Sequence, residues 1–177
     1  MLLAILTGVS AVVARADSAT LVLDAVRVEF ELQNGAGDAI RNQDFRGKNV
    51  LLAFGFTHCL HICPLIAANM ARTLDMADKD AIGIFISVDT ERDTPAITDN
   101  YAKRFSQKMI GLSGSHEQVS AAARNFQVTF VVTKSEDNYT VQHTPSIFLI
   151  GPDGKLIDVF ALSESSANIA KAMHQAR

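Results

Sequence analysis

Cysteine is scarce in this chain: two among 177 residues. That is too few for a small domain stapled by disulfides. A surplus of basic residues is also missing. Sixteen Lys and Arg stand against 19 Asp and Glu, a net charge of −3, so nothing points to a nucleic-acid partner. There is no internal repeat and no low-complexity stretch, which sets aside solenoids and linker-like segments. The apolar N-terminal stretch is short. Residues 2–14 carry no charge, but at about 13 residues they fall below the ~20 that a membrane span needs.

The end of that stretch carries a signal. Ala14-Arg15-Ala16 has the A-x-A form of a cleavage site, and polar Asp17 comes next. We read residues 1–16 as a signal-like segment, cleaved or kept as an anchor that associates the chain with a membrane. No Lys or Arg precedes the apolar run, which is unusual for a signal. Residues 17–177 are expected to form one domain, since 48% hydrophobic and 20% charged residues are an ordinary globular balance. Export would place the cysteines where disulfides persist.

The pattern of elements is layered. Residues 26–33 (VRVEFELQ) alternate as a half-buried strand, and NGAGD at 34–38 turns it into a hairpin. NVLLAFGF (49–56) and IGIFISV (82–88) are apolar runs expected of strands covered on both faces. Between them residues 62–77 show helical spacing through Ile66, Met70 and Leu74, with Pro64 in the first turn.

Asp93 or Thr94 is expected to cap a helix with Pro95 in its first turn and an apolar face of Ile97, Tyr101 and Phe105. Ser115 and Gln118 form a capping box for another, with Val119, Ala122 and Phe126 inward. VTFVVT (128–133) is a strand, and 134–139 an exposed loop. SIFLIG and KLIDVF flank PDG as a hairpin, and 164–176 closes the chain as a helix with Ile169 and Met173 inward. Helices between buried strands imply an α/β domain. The order matches a thioredoxin-like three-layer fold: a central mixed sheet flanked by helices, with an N-terminal β-hairpin extension. In that fold Thr144-Pro145 is expected to be cis and to face the cysteines.

FTHCLHICP (56–64) holds both cysteines, at the junction of the first core strand and the first long helix. A disulfide between Cys59 and Cys63 closes so short a loop that it adds little stability, so a purely structural bond explains the pair poorly. If both lie on the helix start, their sulfurs share one face. A helix N-terminus favours thiolates, which attack disulfides or bind soft metals. The three-residue spacing leans toward metal, because thioredoxin-type oxidoreductases use C-x-x-C. Thiolates and imidazole together suit copper or zinc, and zinc would require two histidines besides the thiols.

His143, just before Thr144-Pro145, is the candidate third ligand. His58 reads as a supporting residue, His61 as pointing away from the thiol face, and His116 and His174 as surface residues. Met70 and Met76 read as core. Asp89, Glu91, Arg92 and Asp93 read either as a capping and ion-pair cluster or as the border of the metal site at the carboxyl ends of the strands. Thr57 lies two positions before Cys59, not the three of a peroxidase T-x-x-C.

Taken together these segments resemble the Sco/SenC family, thioredoxin-like copper proteins needed for cytochrome c oxidase assembly. The carrying residues are Gly55-Phe56-Thr57-His58-Cys59 through Cys63-Pro64, then Ser87-Val88-Asp89-Thr90-Glu91-Arg92-Asp93-Thr94-Pro95, then His143 in HTPSIFLIGPDG. DFRGK (44–48) and GLSG (111–114) agree with it. The chain departs at Leu60-His61, where the family usually has Pro-Asp, and Pro145 is closer to ordinary thioredoxins.

The resemblance implies an exported copper chaperone. It would hold Cu(I), and also Cu(II), through Cys59, Cys63 and His143, in the periplasm or on the outer face of the inner membrane. Its expected partner is a copper-receiving oxidase subunit or another copper or thiol protein, and it is expected to be a monomer. Two alternatives stay open. One is a thiol-disulfide oxidoreductase whose redox thiols Cys59 and Cys63 reduce the cysteines of a metal-site protein; the other is a copper or redox sensor.

Overall fold

A computed structural model of the chain describes residues 26–135 and 139–176. The signal-like segment 1–16 lies outside the described residues. Elements are numbered in chain order. A short hairpin pairs β1 (Glu31–Gln33) with β2 (Ala39–Arg41), antiparallel. Its turn is tied by Asn34, whose side-chain oxygen accepts the backbone N–H groups of Ala36 and Asp38. The strand expected over 26–33 is shorter than its alternation suggests: residues 26–30 pair with no strand and instead bury Val26 and Phe30.

A five-stranded sheet comes after the hairpin. Its strands are β3 (Val50–Gly55), β4 (Ile82–Ser87), β5 (Met109–Leu112), β8 (Ser146–Ile150) and β9 (Leu156–Ala161), in the order β5-β4-β3-β8-β9. The first three run parallel, whereas β8 and β9 run antiparallel to their neighbours. The sheet is therefore mixed, and the fold is the expected thioredoxin-like α/β architecture.

All of β3 is buried. Val50, Leu52 and Phe54 face α3 (His116–Asn125), where Phe126, just past the helix end, meets Phe54 and Phe148 edge-on at 5.6 and 5.1 Å. Leu51 and Ala53 face the opposite layer of α1 (Ile62–Met76), α2 (Pro95–Lys103) and α4 (Ser166–Gln175). Each fully buried Leu, Ile or Phe contributes about 1.5–3 kcal/mol. Two-sided burial is why this strand reads as a continuous apolar run. Among the described residues no helix is long and apolar enough to cross a membrane.

Several details differ from the sequence expectations. β5 is an extra strand of four residues, short and preceded by polar Ser106-Gln107-Lys108, so no periodicity marks it. Gly111 is required there: a Cβ would stand 2.1 Å from the Thr98 carbonyl oxygen. Thr94, not Asp93, caps α2. Ile97 is turned outward, 44% exposed, because the buried stripe runs through Thr98, Tyr101 and Ala102. Met76 is 45% exposed at the end of α1 and is not core, whereas Met70 is fully buried.

The region expected as one strand and a loop is a separate antiparallel hairpin, β6 (Phe130–Lys134) with β7 (Tyr139–His143), outside the central sheet. The Thr144–Pro145 bond is trans, as are all peptide bonds of the described residues. The Thr144 N–H donates to the Thr129 carbonyl at 3.1 Å, and β8 begins at Ser146. The two residues between β7 and β8 keep the intrinsic trans preference of X–Pro.

Candidate thiol and metal centre

The chain leaves β3 at Gly55 and reaches α1 through Phe56 to His61. Cys59 lies in this turn, its N–H donating to the Phe56 carbonyl, and not on the helix itself. Its sulfur nevertheless meets the helix. Cys63 donates its backbone N–H to Cys59 Sγ at 3.4 Å, and the N–H groups of His61 and Ile62 also act on that sulfur. His61 is the N-cap but makes no side-chain cap bond, so the sulfur serves the otherwise unpaired donors of the first turn. Burial pushes the Cys59 thiol up, but these N–H groups outweigh it and hold its pKa below the ordinary value. Cys63 is fully buried, and burial, then the shared hydrogen bond with Cys59, pushes it up to about 12. Both thiols are free. One is thus partly exposed with its pKa lowered; the other is buried with its pKa raised.

Gly55 makes room for this arrangement. A Cβ there would lie 2.6 Å from Phe85 Cζ and 3.2 Å from Cys63 Sγ. His143, at the end of β7, brings its Nε2 to 3.4 Å from Cys63 Sγ. Its Nδ1 is 3.1 Å from the Thr144 carbonyl oxygen. A carbonyl only accepts, so Nδ1 carries the proton and Nε2 presents its lone pair to the sulfur. Burial holds the imidazole pKa below its ordinary value, with the Thr144 bond opposing. Phe56 packs edge-on against the ring at 6.0 Å. His143 Nε2 thus meets the Cys63 sulfur and Cys59 Sγ meets the Cys63 N–H, but the ligand atoms of the expected trio Cys59, Cys63 and His143 are not all within 4.8 Å of one another. Sulfur and neutral imidazole are soft donors.

The acidic motif does more than cap. Asp93 is completely buried. It accepts the Thr57 N–H at 2.7 Å, the Thr57 hydroxyl at 2.6 Å and the Ser87 hydroxyl at 2.6 Å, fixing the turn that carries Cys59. His58 Nδ1 is 3.4 Å from the same carboxylate, which fits a supporting role. Asp89, equally buried, holds Arg92 at 2.6 Å and accepts the Tyr139 hydroxyl at 2.6 Å.

Ligand-type atoms of His58, Asp89 and Asp93 all lie within 4.8 Å of one another. Their oxygens are already engaged, and Arg92 supplies the cation. Tyr139 gave no signal in the sequence; only its four-residue spacing from His143 on one face of a strand, once β7 is known, marks it. His116 and His174 are exposed on α3 and α4 as expected, and His61 is exposed. Leu60, Ile62 and Leu65 are 84%, 41% and 59% exposed, so the rim beside Cys59 is apolar.

Comparison with known proteins places this geometry in a family. The SCO1/SenC family model matches residues 19–176. The chain is 38% identical over 151 residues to the human mitochondrial protein SCO1 homolog, covering 81% of this chain and 50% of that protein. It spans about half to three-fifths of the length of curated relatives it matches. Among solved structures, Arabidopsis thaliana ScoI with copper bound superposes with a TM-score of 0.77 at 32% identity, covering 83% of this chain and 97% of that one. BsSco, described by its disulfide switch and as a member of the Sco family of cytochrome c oxidase assembly proteins, superposes with a TM-score of 0.66 at 26% identity over 86% of this chain and 94% of that one. The paired thiols at a strand-to-helix junction, the facing histidine and the match over nearly the whole chain agree, and the chain belongs to the SCO1/SenC family.

Proposed function

We propose that this protein carries copper as cargo, held by Cys59, Cys63 and His143, and hands it to a cytochrome c oxidase subunit during assembly. The observation that carries this reading is the approach of a neutral His143 nitrogen to the buried Cys63 sulfur, with Cys59 anchored beside it. Two thiolates and one imidazole form a three-donor set that favours Cu(I). Loading expels the Cys63 proton to solvent. Cys59, partly exposed behind an apolar rim, is the side on which a partner's ligand replaces a protein ligand. The copper-bound relative supports the metal, and BsSco supports the assembly role. The apolar stretch 2–14 and Ala14-Arg15-Ala16 support work in the periplasm or on the outer face of the inner membrane. Metal analysis of protein purified under reducing conditions tests the reading: about one copper per chain, lost in Cys59→Ser, is expected. Wild-type protein that takes up no copper contradicts it.

A second reading is favoured by the asymmetry of the thiols. Cys59 as thiolate attacks a disulfide of the target, forming a mixed disulfide and releasing one target thiolate. Cys63 then gives up its proton, for which His143 Nε2 is placed, and attacks Cys59. The target leaves with both cysteines reduced, and Cys59–Cys63 is the oxidised product, reset by a thiol reductant. The same atoms serve both chemistries.

A further inference from the structure

The hairpin that presents His143 is a poor platform by itself. β6 and β7 form a two-stranded sheet joined to no other strand. Such a ribbon is marginally stable in water unless something holds it. Along β7, Tyr139, Val141 and His143 point inward and are partly buried, while Thr140 and Gln142 are exposed. Tyr139 and His143 thus stand at opposite ends of one face, about 13 Å apart at strand rise. Val141 packs on the core between them. At the His143 end the arm is fixed by Thr144 to Thr129. At the other end the holding contacts come from the loop after β4. The Tyr139 hydroxyl donates to buried Asp89, Arg92 lies 3.9 Å over the Tyr139 ring while gripping the same carboxylate, and Lys134 of β6 pairs with Glu91.

Asp89 therefore connects the two halves of the site. The β4 loop carries Asp93, which fixes the Cys59 turn, and four residues earlier Asp89, which fixes the His143 arm. Burial of both carboxylates makes each bond costly to lose, because a buried acceptor left unpaired costs about 1–3 kcal/mol. The phenol is held up to about 12, by burial first and then by Asp89, so it remains a donor throughout the neutral range.

We propose that Tyr139 is a positioning residue for His143: its hydroxyl on Asp89, with Arg92 over its ring, latches the β6–β7 arm so that the imidazole is held against Cys63. This rests on the reading of His143 as a copper ligand. Without the latch the arm samples open positions, and the apparent affinity falls in proportion to the fraction of time it is closed.

The test is a double-mutant cycle in the whole chain, with Cu(I) affinity read by competition against a chromophoric chelator. Tyr139→Phe keeps the ring under Arg92 and removes only the hydroxyl. In the wild-type background it is expected to weaken Cu(I) binding roughly threefold to tenfold. In the His143→Ala background it is expected to change nothing further. Amide hydrogen exchange at residues 139–143 is expected to quicken in Tyr139→Phe by more than exchange in β3, which reports the variant's fall in global stability. An equal loss in both backgrounds, or less than a twofold loss in wild type together with unchanged exchange, overturns the latch and leaves His143 as a ligand. If His143→Ala alone binds copper as wild type does, the ligand assignment itself falls and the latch with it.

Discussion

The Nε2 atom of His143 stands 3.4 Å from the Sγ of Cys63, although 80 residues separate them in the chain. The histidine's other nitrogen is committed to the Thr144 carbonyl, and the thiol is fully buried. A lone pair thus faces a group that holds its proton at neutral pH. A soft cation entering this site must expel that proton. Apparent Cu(I) affinity is therefore expected to tighten with pH, about tenfold per unit from Cys63 alone between pH 6 and 8. Chelator competition at three pH values measures this, and a flat profile contradicts it.

The same thiol sets a pH dependence of folding. Cys63 has its folded pKa raised from the ordinary 9.0 to about 12. The stability this contributes is full below pH 9 and drains away as pH rises toward 12. The gap in unfolding free energy between metal-free wild type and Cys63→Ala is expected to narrow across that window in urea titrations. Limiting iodoacetamide at neutral pH is expected to label Cys59 well before Cys63, since Cys59 is the more ionised and more exposed of the two. Equal labelling would remove the asymmetry on which the oxidoreductase reading depends.

Asp93 should matter to stability as well as to the site. In Asp93→Asn an amide NH₂ must replace one of two oxygens that now receive the Thr57 N–H, the Thr57 hydroxyl and the Ser87 hydroxyl. With the NH₂ at the Oδ1 position the Thr57 hydroxyl must turn to accept, and the remaining bonds lose the carboxylate's charge, so the expected loss is about 1–3 kcal/mol in chemical denaturation. An unchanged midpoint would mean that the Cys59 turn does not need its brace.

These residues also mark the limits of what the sequence carried. The two-sided burial of Val50–Gly55, the Ser115 capping box and the Pro64 helix start were legible because each is a local pattern with a local cause. The approach of His143 to Cys63 was legible only through the fold, which sets a strand end opposite a helix start. β5 was hidden because four residues are too few for a period. The strand character of 139–143 was hidden because a half-exposed ribbon alternates polar with less polar residues, much as a loop does. The division of labour between Asp89 and Asp93 was hidden for a different reason: their partners Tyr139 and Thr57 are 50 and 36 residues away. A trans bond at Pro145 shows an expectation borrowed from thioredoxins yielding to the intrinsic preference of X–Pro.

His61 and Leu60 replace the usual Asp and Pro between the thiols. His61 is exposed and makes no side-chain cap bond. His61→Ala is expected to leave copper stoichiometry intact and to shift affinity within about 0.5 kcal/mol, roughly twofold. A loss of tenfold or more would make His61 a ligand and raise the donor count of the site.

X-ray absorption of the Cu(I)-loaded chain, wild type beside His143→Ala, probes the copper site most directly. One copper bound by two sulfurs and one imidazole nitrogen is predicted in wild type, with the nitrogen scattering lost in the variant. Copper bound identically in both proteins, or bound without sulfur, would contradict the assignment of Cys59, Cys63 and His143 as its ligands.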